Sequence, residues 1–390
     1  MLKRLRNILI NFIYSLFRLF PMRRIVVGSS FYGKVYENNS KYIVEAIHKE
    51  NPKIKLFWLG RYDFDYPVPK YIKIVKNDYA KAYFYAISRV LIDTHMFPVY
   101  LRRRGKQLII LAYHGGIGMK KNSNNVPGRQ KTNEPDLTGK NTSYCISNSL
   151  FMNGVIRSSL MFKGPIWMVG YPKNDILHLD SSNYRRKVFD FFNIKPSAKV
   201  LLYAPTYRLN KTDISVFNID FKLLSDALEN RFGGEWVILI HLHPHQKKLA
   251  SSMCEKWPGI LINANDYPDM QELIVASDIL ISDYSSCMFE AMEKGIPCFM
   301  YAVDYETYRF EQGFYFDVSE LPFPYSKNNN ELINSIYSFD YHQYVLLCND
   351  FKKKQGLVET DKSSVLIAKR VAEYLNKNYQ SFEKEDLIYD

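Results

Sequence analysis

Three stretches of the chain set reactive side chains at the ends of apolar runs. The first is Leu111-Ala112-Tyr113-His114-Gly115-Gly116-Ile117-Gly118-Met119-Lys120-Lys121. An imidazole there follows a strand-like segment and precedes a flexible turn and two ammonium groups. Histidine titrates near neutrality and can take the proton of a substrate hydroxyl. Gly115 and Gly116 let backbone approach a bound group, and Lys120 and Lys121 add positive charge beside it. The same pattern also suits a hydrogen-bonded loop histidine. No GxxxxGK[ST] run is present, which excludes a P-loop.

The second stretch, Tyr203-Ala204-Pro205-Thr206-Tyr207-Arg208, closes an apolar run with a hydroxyl and a guanidinium, a pair matched to phosphate oxygens. Further on, Val237 to Ile240 leads into His241-Leu242-His243-Pro244-His245. Three histidines invite a zinc reading, but no acidic or cysteine ligand is close in sequence, so no metal is expected and His243 is read as phosphate-facing. The third stretch runs from Asp278 to Gly295. A short apolar segment meets Asp283, Ser285 and Ser286, and then Met288, Ala291 and Met292 recur at helical spacing up to a glycine. A strand feeding directly into a helix presents free N–H groups to an anion, although an ordinary N-cap looks the same. Glu290 is placed to accept from a sugar hydroxyl or to face solvent.

If the strands carrying Thr206 and Arg208, His243, and Asp283, Ser285 and Ser286 are parallel members of one sheet, all of these groups open on its carboxyl edge, where ligands bind. Together they describe a pocket for a nucleotide diphosphate.

The elements needed to position them follow from the rest of the chain. Its 390 residues exceed what one core accommodates and fit two domains. With 47% hydrophobic and 24% charged residues the chain is globular. Apolar runs at Ile25–Val27, Ile54–Leu59, Ile72–Val75, Val90–Asp93, Leu108–Ala112, Tyr144–Ser147 and Ile166–Val169 alternate with helical segments, and a second series begins at Lys199. This rhythm predicts two doubly wound, Rossmann-like α/β domains facing each other across a cleft. The expected divisions are an amphipathic arm (1–24), an acceptor domain (25–178), a nucleotide-donor domain (179–355) that opens on a charged linker helix, and a C-terminal helix and tail (356–390).

The net charge of +12 is uneven, because Lys3, Arg4, Arg6, Arg18, Arg23 and Arg24 meet no acid before residue 25. Leu5, Leu9, Phe12, Leu16 and Leu19 fall at helical spacing, as in a helix lying in an anionic membrane surface, and the polar interruptions exclude a spanning helix. A helix packed on its own domain is the competing reading. No small-residue cleavage site follows, so a secretory signal is not expected. Five scattered cysteines point to a reducing compartment. The clustering of positive charge in one arm argues against nucleic-acid binding.

Across residues 25 to 375 the chain resembles the CDP-glycerol glycerophosphotransferases, primases and polymerases of wall teichoic acid and related capsular polymers. The resemblance rests on Ser29-Ser30-Phe31-Tyr32-Gly33-Lys34 with Asn39-Ser40, His114-Gly115 with Lys120-Lys121, Gly170-Tyr171-Pro172-Lys173-Asn174-Asp175, Thr206-Tyr207-Arg208, His243-Pro244, Ser282-Asp283-Tyr284-Ser285-Ser286 and Gly313-Phe314-Tyr315-Phe316-Asp317. It implies a GT-B fold, a peripheral place on the cytoplasmic face of the membrane, a CDP-polyol donor, a lipid-linked or polysaccharide acceptor, and CMP as product, with no cofactor. His114 and His243 would be catalytic, with His114 taking the acceptor's proton, while Thr206, Arg208, His243, Asp283, Ser285, Ser286 and Glu290 hold the donor, and Gly115, Gly116, Lys120 and Lys121 contact the acceptor or phosphate. Tyr113-His114-Gly115-Gly116 departs from the family's Trp-His-Gly-Thr, and His241 stands where arginine is frequent. The long repeat extension of some polymerases is not expected. The alternatives are a GT-B glycosyltransferase using a UDP- or GDP-sugar, and a non-catalytic scaffold of envelope assembly.

Overall fold

The computed structural model of the chain describes residues 2–95, 97–126, 139–208, 215–243, 246–358 and 360–376. Its contacts divide it into two compact units: Met1–Gly116, Gln130–Asp175 and Leu357–Asp390 form one, and Ile117–Arg129 with Ile176–Gly356 the other.

The first unit is built on β1 (Arg23–Ser29), β2 (Lys55–Leu59), β3 (Ile72–Val75), β4 (Ser88–Asp93), β5 (Leu108–Leu111), β6 (Tyr144–Ser147) and β7 (Ile166–Met168), with α1 (Leu2–Phe17), α2 (Asn38–Glu50), α3 (Asp78–Ile87) and α4 (Leu150–Ser159). All strand pairs are parallel, in the order β3-β2-β1-β4-β5-β6-β7. Parallel strands covered on both faces lose the polar alternation of half-exposed ones, and every residue of β4 and β5 is accordingly buried. Gly28 lets α2 close onto this sheet, since a Cβ there would lie 2.8 Å from both Trp58 and Val44.

α1 packs on this unit through Ile10 and Tyr14, both buried. The Tyr14 hydroxyl donates to the Arg102 carbonyl at 3.0 Å and accepts from the Arg102 N–H at 3.1 Å. Arg6 pairs with Asp78 on α3. The membrane reading of the arm therefore needs correction in one respect: α1 is also a packing element of the fold. The stripe read from sequence stays outside, with Leu5, Leu9, Phe12, Leu16 and Leu19 all exposed. No helix among the described residues is long and apolar enough to cross a membrane.

The second unit repeats the plan with β8 (Lys199–Tyr203), β9 (Trp236–Ile240), β10 (Leu261–Asn263), β11 (Ile279–Ser282), β12 (Cys298–Tyr301) and the short edge strand β13 (Tyr325–Ser326). They are parallel in the order β10-β9-β8-β11-β12-β13. Its helices are α5 (Ser182–Phe192), α6 (Phe221–Phe232), α7 (Lys247–Lys256), α8 (Met270–Ala276), α9 (Cys287–Lys294), α10 (Tyr305–Gln312), α11 (Asn329–Tyr337) and α12 (Tyr341–Gln355). α5 is not a linker. Val188 and Phe189 are buried, Arg185 bonds Asp278 at 2.9 Å, and Lys187 bonds Glu272 at 2.6 Å. The chain then returns to the first unit with α13 (Ser363–Asn376), whose Ile367, Ala368, Val371 and Leu375 join the core around Ile43, Ile47 and Trp58.

Both sheets have the doubly wound order, in which winding reverses between the first strand and its neighbour on the other side. The reversal falls between β1 and β4 in one unit and between β8 and β11 in the other.

Candidate functional site

At the first reversal point, the carboxyl ends of β1 and β4 are joined by side chains. Ser30 Oγ lies 3.1 Å from Thr94 Oγ1, which also accepts from the Phe31 N–H at 3.3 Å. β5 ends beside them and carries His114 in the loop that follows. Its Nδ1 lies 3.2 Å from the Thr94 carbonyl, and its ring stacks on that of His95, with centroids 4.0 Å apart and planes 11° from parallel. Phe31 packs against both rings. Burial, reinforced by the neighbouring His114, holds His95 down to about 3, so it stays neutral beside its partner. Asp93, at the end of β4, accepts from the His95 N–H at 2.9 Å, and burial pushes its carboxyl up to about 7 despite that bond. Neither Asp93 nor His95 was singled out from sequence. The available signal was an apolar run, Val90 to Ile92, ending in Asp-Thr-His just as Leu108 to Leu111 leads to His114.

The loop bearing His114 is fixed from below by Asn39, which is fully buried. Its amide donates to the carbonyls of Ala112 at 3.0 Å and Tyr113 at 2.8 Å, and its oxygen accepts from the Lys173 N–H at 3.1 Å. Tyr171 Oη donates to the Gly115 carbonyl at 2.9 Å, and its ring lies 3.6 Å from where a Cβ on Gly116 would sit. Asp175 accepts from the N–H groups of Ser363 and Ser364 at the start of α13. The motifs around residues 39, 114 and 170 thus form one hydrogen-bonded support.

At the second reversal point, Ser282 Oγ donates to the Ala204 carbonyl at 2.6 Å, and Asp283 Oδ1 accepts from the N–H groups of Thr206 at 2.8 Å and Tyr284 at 2.6 Å. Arg208 is buried in this cluster. It donates to Asp283 at 2.8 Å, to Asp304 at 2.6 and 2.9 Å and to the Thr206 carbonyl at 2.6 Å, and its guanidinium carbon lies 5.0 and 4.5 Å from the ring centroids of Tyr284 and Tyr308, which stack on each other. Burial works against its charge, but the two carboxylates outweigh burial and raise its pKa. Four hydrogen bonds to protein engage most of the donors that the sequence reading assigned to a diphosphate. Asp304, just beyond β12, was missed, because its partner lies 96 residues away in the chain.

The other residues of this edge are placed as follows. Thr206 Oγ1 is buried with no hydrogen-bond partner among the described residues. Ser286 makes no side-chain cap at α9, and Ser285 Oγ accepts from the Cys287 N–H at only 3.4 Å, so the capping roles expected for the serines are weak and Asp283 staples β8 to β11 instead. Glu290 does not face solvent: it is buried and accepts from Gln271 at 2.8 Å. His243 is exposed with its ring 4.8 Å from Tyr207, while burial pushes His241 down to about 4. His245 lies outside the described residues. Among those residues no group of three or more His, Cys, Asp or Glu could hold a metal ion.

Lys120 and Lys121 fall in the second unit, not with His114. Lys120 forms an antiparallel bridge with Phe314, flanked by bonds from Tyr315 N–H to the Met119 carbonyl at 2.7 Å and from Lys121 N–H to the Gly313 carbonyl at 3.0 Å. Much of Lys120 is open to solvent, yet local desolvation lowers its pKa, with Asp283 opposing and Arg208 adding to the effect.

Two parallel, doubly wound sheets with polar clusters at their reversal points define a GT-B-like transferase fold. The signature of the CDP-Glycerol:Poly(glycerophosphate) glycerophosphotransferase family matches residues 12–373, and the chain belongs to that family. It is similar to the teichoic acid poly(glycerol phosphate) polymerase of Bacillus subtilis (strain 168), 27% identical over 390 residues that span 94% of this chain and 52% of the relative. It is likewise similar to the teichoic acid glycerol-phosphate transferase of Staphylococcus aureus (strain NCTC 8325), 25% identical over 94% of this chain and 98% of that one. The chain spans about half the length of the curated poly(glycerol phosphate) polymerases of B. subtilis (strain 168) and Staphylococcus epidermidis. Among solved structures, the wall teichoic acid polymerase TagF superposes with a TM-score of 0.81 at 26% identity, covering 96% of each chain.

Proposed function

We propose that the chain transfers a polyol phosphate, glycerol phosphate from CDP-glycerol, to a hydroxyl of a lipid-linked or polysaccharide acceptor, with release of CMP. The observation that carries this reading is the clamp joining β8 to β11, where Thr206, Asp283 and Arg208 shape a carboxyl edge in a member of this family. The acceptor oxygen attacks the β-phosphorus, the bond from that phosphorus to the bridging oxygen breaks, and CMP leaves with that oxygen. The proton passes to His114, whose ring is oriented by the Thr94 carbonyl and the neutral His95. The transferred group carries its own charge, so positioning and cationic stabilisation supply most of the catalysis. Thr206 Oγ1, His243 and the N-terminal end of α9 are assigned to the donor phosphates, Glu290 to its sugar, and Lys120 and Lys121 to neutralising developing charge. Incubation with CDP-glycerol, CDP-ribitol, UDP-glucose and GDP-mannose, each with a lipid-linked acceptor, tests this directly. CMP release from a CDP-polyol alone is expected, and UDP or GDP release would overturn the assignment.

The exposed stripe of α1 supports a peripheral place at the cytoplasmic face of the membrane, since Leu5, Ile8, Leu9, Phe12 and Leu16 share one face and the exposed Leu19 follows just beyond the helix. Phe12→Glu, at a position 62% exposed, should leave thermal stability unchanged. Sedimentation with phosphatidylglycerol vesicles should show binding weakened by about tenfold or more, and unaltered binding would remove the membrane role.

A further inference from the structure

Within the first unit, a cavity of 460 Å³ lies between α1 and the carboxyl ends of β1, β2 and β4. Its volume is in the range of small-molecule sites. The wall combines Tyr32, Tyr85, Phe97 and Tyr100 with Asn7 and Asp93. Its cations are already engaged, because Arg6 and Lys81 both pair with Asp78, and Asp93 adds a carboxyl that titrates at about 7. A wall whose cations are paired within the protein is not built to select a phosphate. Aromatic faces with an amide and a carboxylate suit a neutral, hydroxyl-rich ring, which offers C–H faces to the rings and hydroxyls to the polar atoms.

The cavity also meets the candidate base. Tyr32 lines it and sits 5.0 Å from the His95 ring, which stacks on His114. Asp93 lines it and receives the His95 N–H. Tyr32 is held there at a cost. Phe31 and Tyr32 are consecutive non-glycine residues with φ of 47° and 59°, and such residues persist only where the surroundings enforce them. Thr94 does so through the Phe31 N–H, and Gly33 N–H closes the turn on the Ser30 carbonyl at 2.8 Å. The result is a tyrosine 56% exposed at the rim of the cavity.

From this arrangement we infer that the cavity between α1 and the sheet edge is a saccharide subsite, which seats a sugar ring of the acceptor so that a hydroxyl is presented towards the His95–His114 pair. The inference rests on the proposed transfer for the word acceptor, but the binding it describes does not require turnover.

The test uses the full chain and saturation-transfer NMR with methyl α-glucoside, methyl α-mannoside and their 2-acetamido analogues, with glycerol 1-phosphate and inorganic phosphate as charged controls. At least one glycoside is expected to receive saturation on its ring protons, and neither phosphate is expected to displace it. Tyr32→Ala, at an exposed position, should weaken that binding about tenfold, as the loss of one aromatic platform predicts. Asn7→Ala, from the opposite wall, should reduce it as well while the far-UV spectrum and melting temperature hold. Absence of saturation transfer to every glycoside, persistence of full binding in both variants, or displacement by phosphate would each overturn the subsite. If no CDP-polyol is turned over, the NMR result still stands, and the two proposals fail separately. Where turnover is present, Tyr32→Ala should raise KM for the acceptor about tenfold and leave KM for CDP-glycerol unchanged; a change in the donor KM alone would count against the assignment.

Discussion

The two sheet edges share a topology and differ in chemistry. The edge of the first unit gathers a neutral His95, the Asp93 carboxyl raised to about 7, the stacked ring of His114 and a set of aromatics around a strained turn. The edge of the second gathers formal charges and satisfies them internally, Arg208 against Asp283 and Asp304. The first arrangement suits proton transfer and recognition of hydroxyls, because a carboxyl near 7 changes state at working pH beside two stacked imidazoles. The second suits shape-holding, because a buried cation with two anionic partners fixes the ends of β8, β11 and β12 in one geometry. One fold, used twice, carries titratable side chains at one edge and an internally satisfied charge network at the other.

That contrast is broken most forcefully at His114. His114→Ala should lower the rate of CMP release by about 10²–10⁴, the usual contribution of a general base, with KM for CDP-glycerol and melting temperature close to wild type. A large rise in donor KM instead would move His114 to the donor. Arg208→Leu should act on the opposite quantity. It leaves the buried Asp283 and the half-buried Asp304 without their cation and should destabilise the chain by about 3–5 kcal/mol, measured by urea unfolding. A mild loss of stability accompanied by a collapse of donor affinity would restore the direct phosphate role.

A smaller effect distinguishes the edge of the first unit by its pH response. The folded Asp93 carboxyl titrates at about 7, above its unfolded value of roughly 4, so its stabilisation is complete in acid and lost as pH rises through 7. His95 titrates at about 3, below its unfolded value of roughly 6.5, so its stabilisation is present above that value and lost as pH falls towards 3. Between about pH 4 and 6.5 the two slopes oppose each other. Relative to wild type, the melting temperature of Asp93→Asn should therefore rise with pH across that window, and that of His95→Gln should fall. Parallel slopes in the two variants would show that the pair does not titrate as described.

Much of this was legible because fully buried parallel strands write themselves as short unbroken apolar runs. Val90 to Asp93 and Ile279 to Ser282 could be located, and the edge residues that follow them read off directly. Contacts between remote side chains leave no such trace. Asp304 and Arg208 recognise each other only once β8, β11 and β12 lie side by side, and His95 becomes interesting only when β4 and β5 bring it onto His114. α5 reads as a linker in sequence because its buried face is just Val188 and Phe189, with much of its attachment made by Arg185 and Lys187. α1 misled in a related way. Its leucines mark the face left outside, while the face that anchors it is carried by Ile10 and by a tyrosine whose hydroxyl is satisfied at Arg102.

The return of α13 to the first unit bears on the order of assembly. A chain made from its N-terminus delivers the whole β8 to α12 region before the last helix of the first unit exists. The second unit can close while the first still lacks the apolar face of Ile367, Val371 and Leu375 and the two N–H groups that Asp175 awaits. During synthesis the first unit is thus the later to mature, and the support beneath His114 is finished only once α13 has been made.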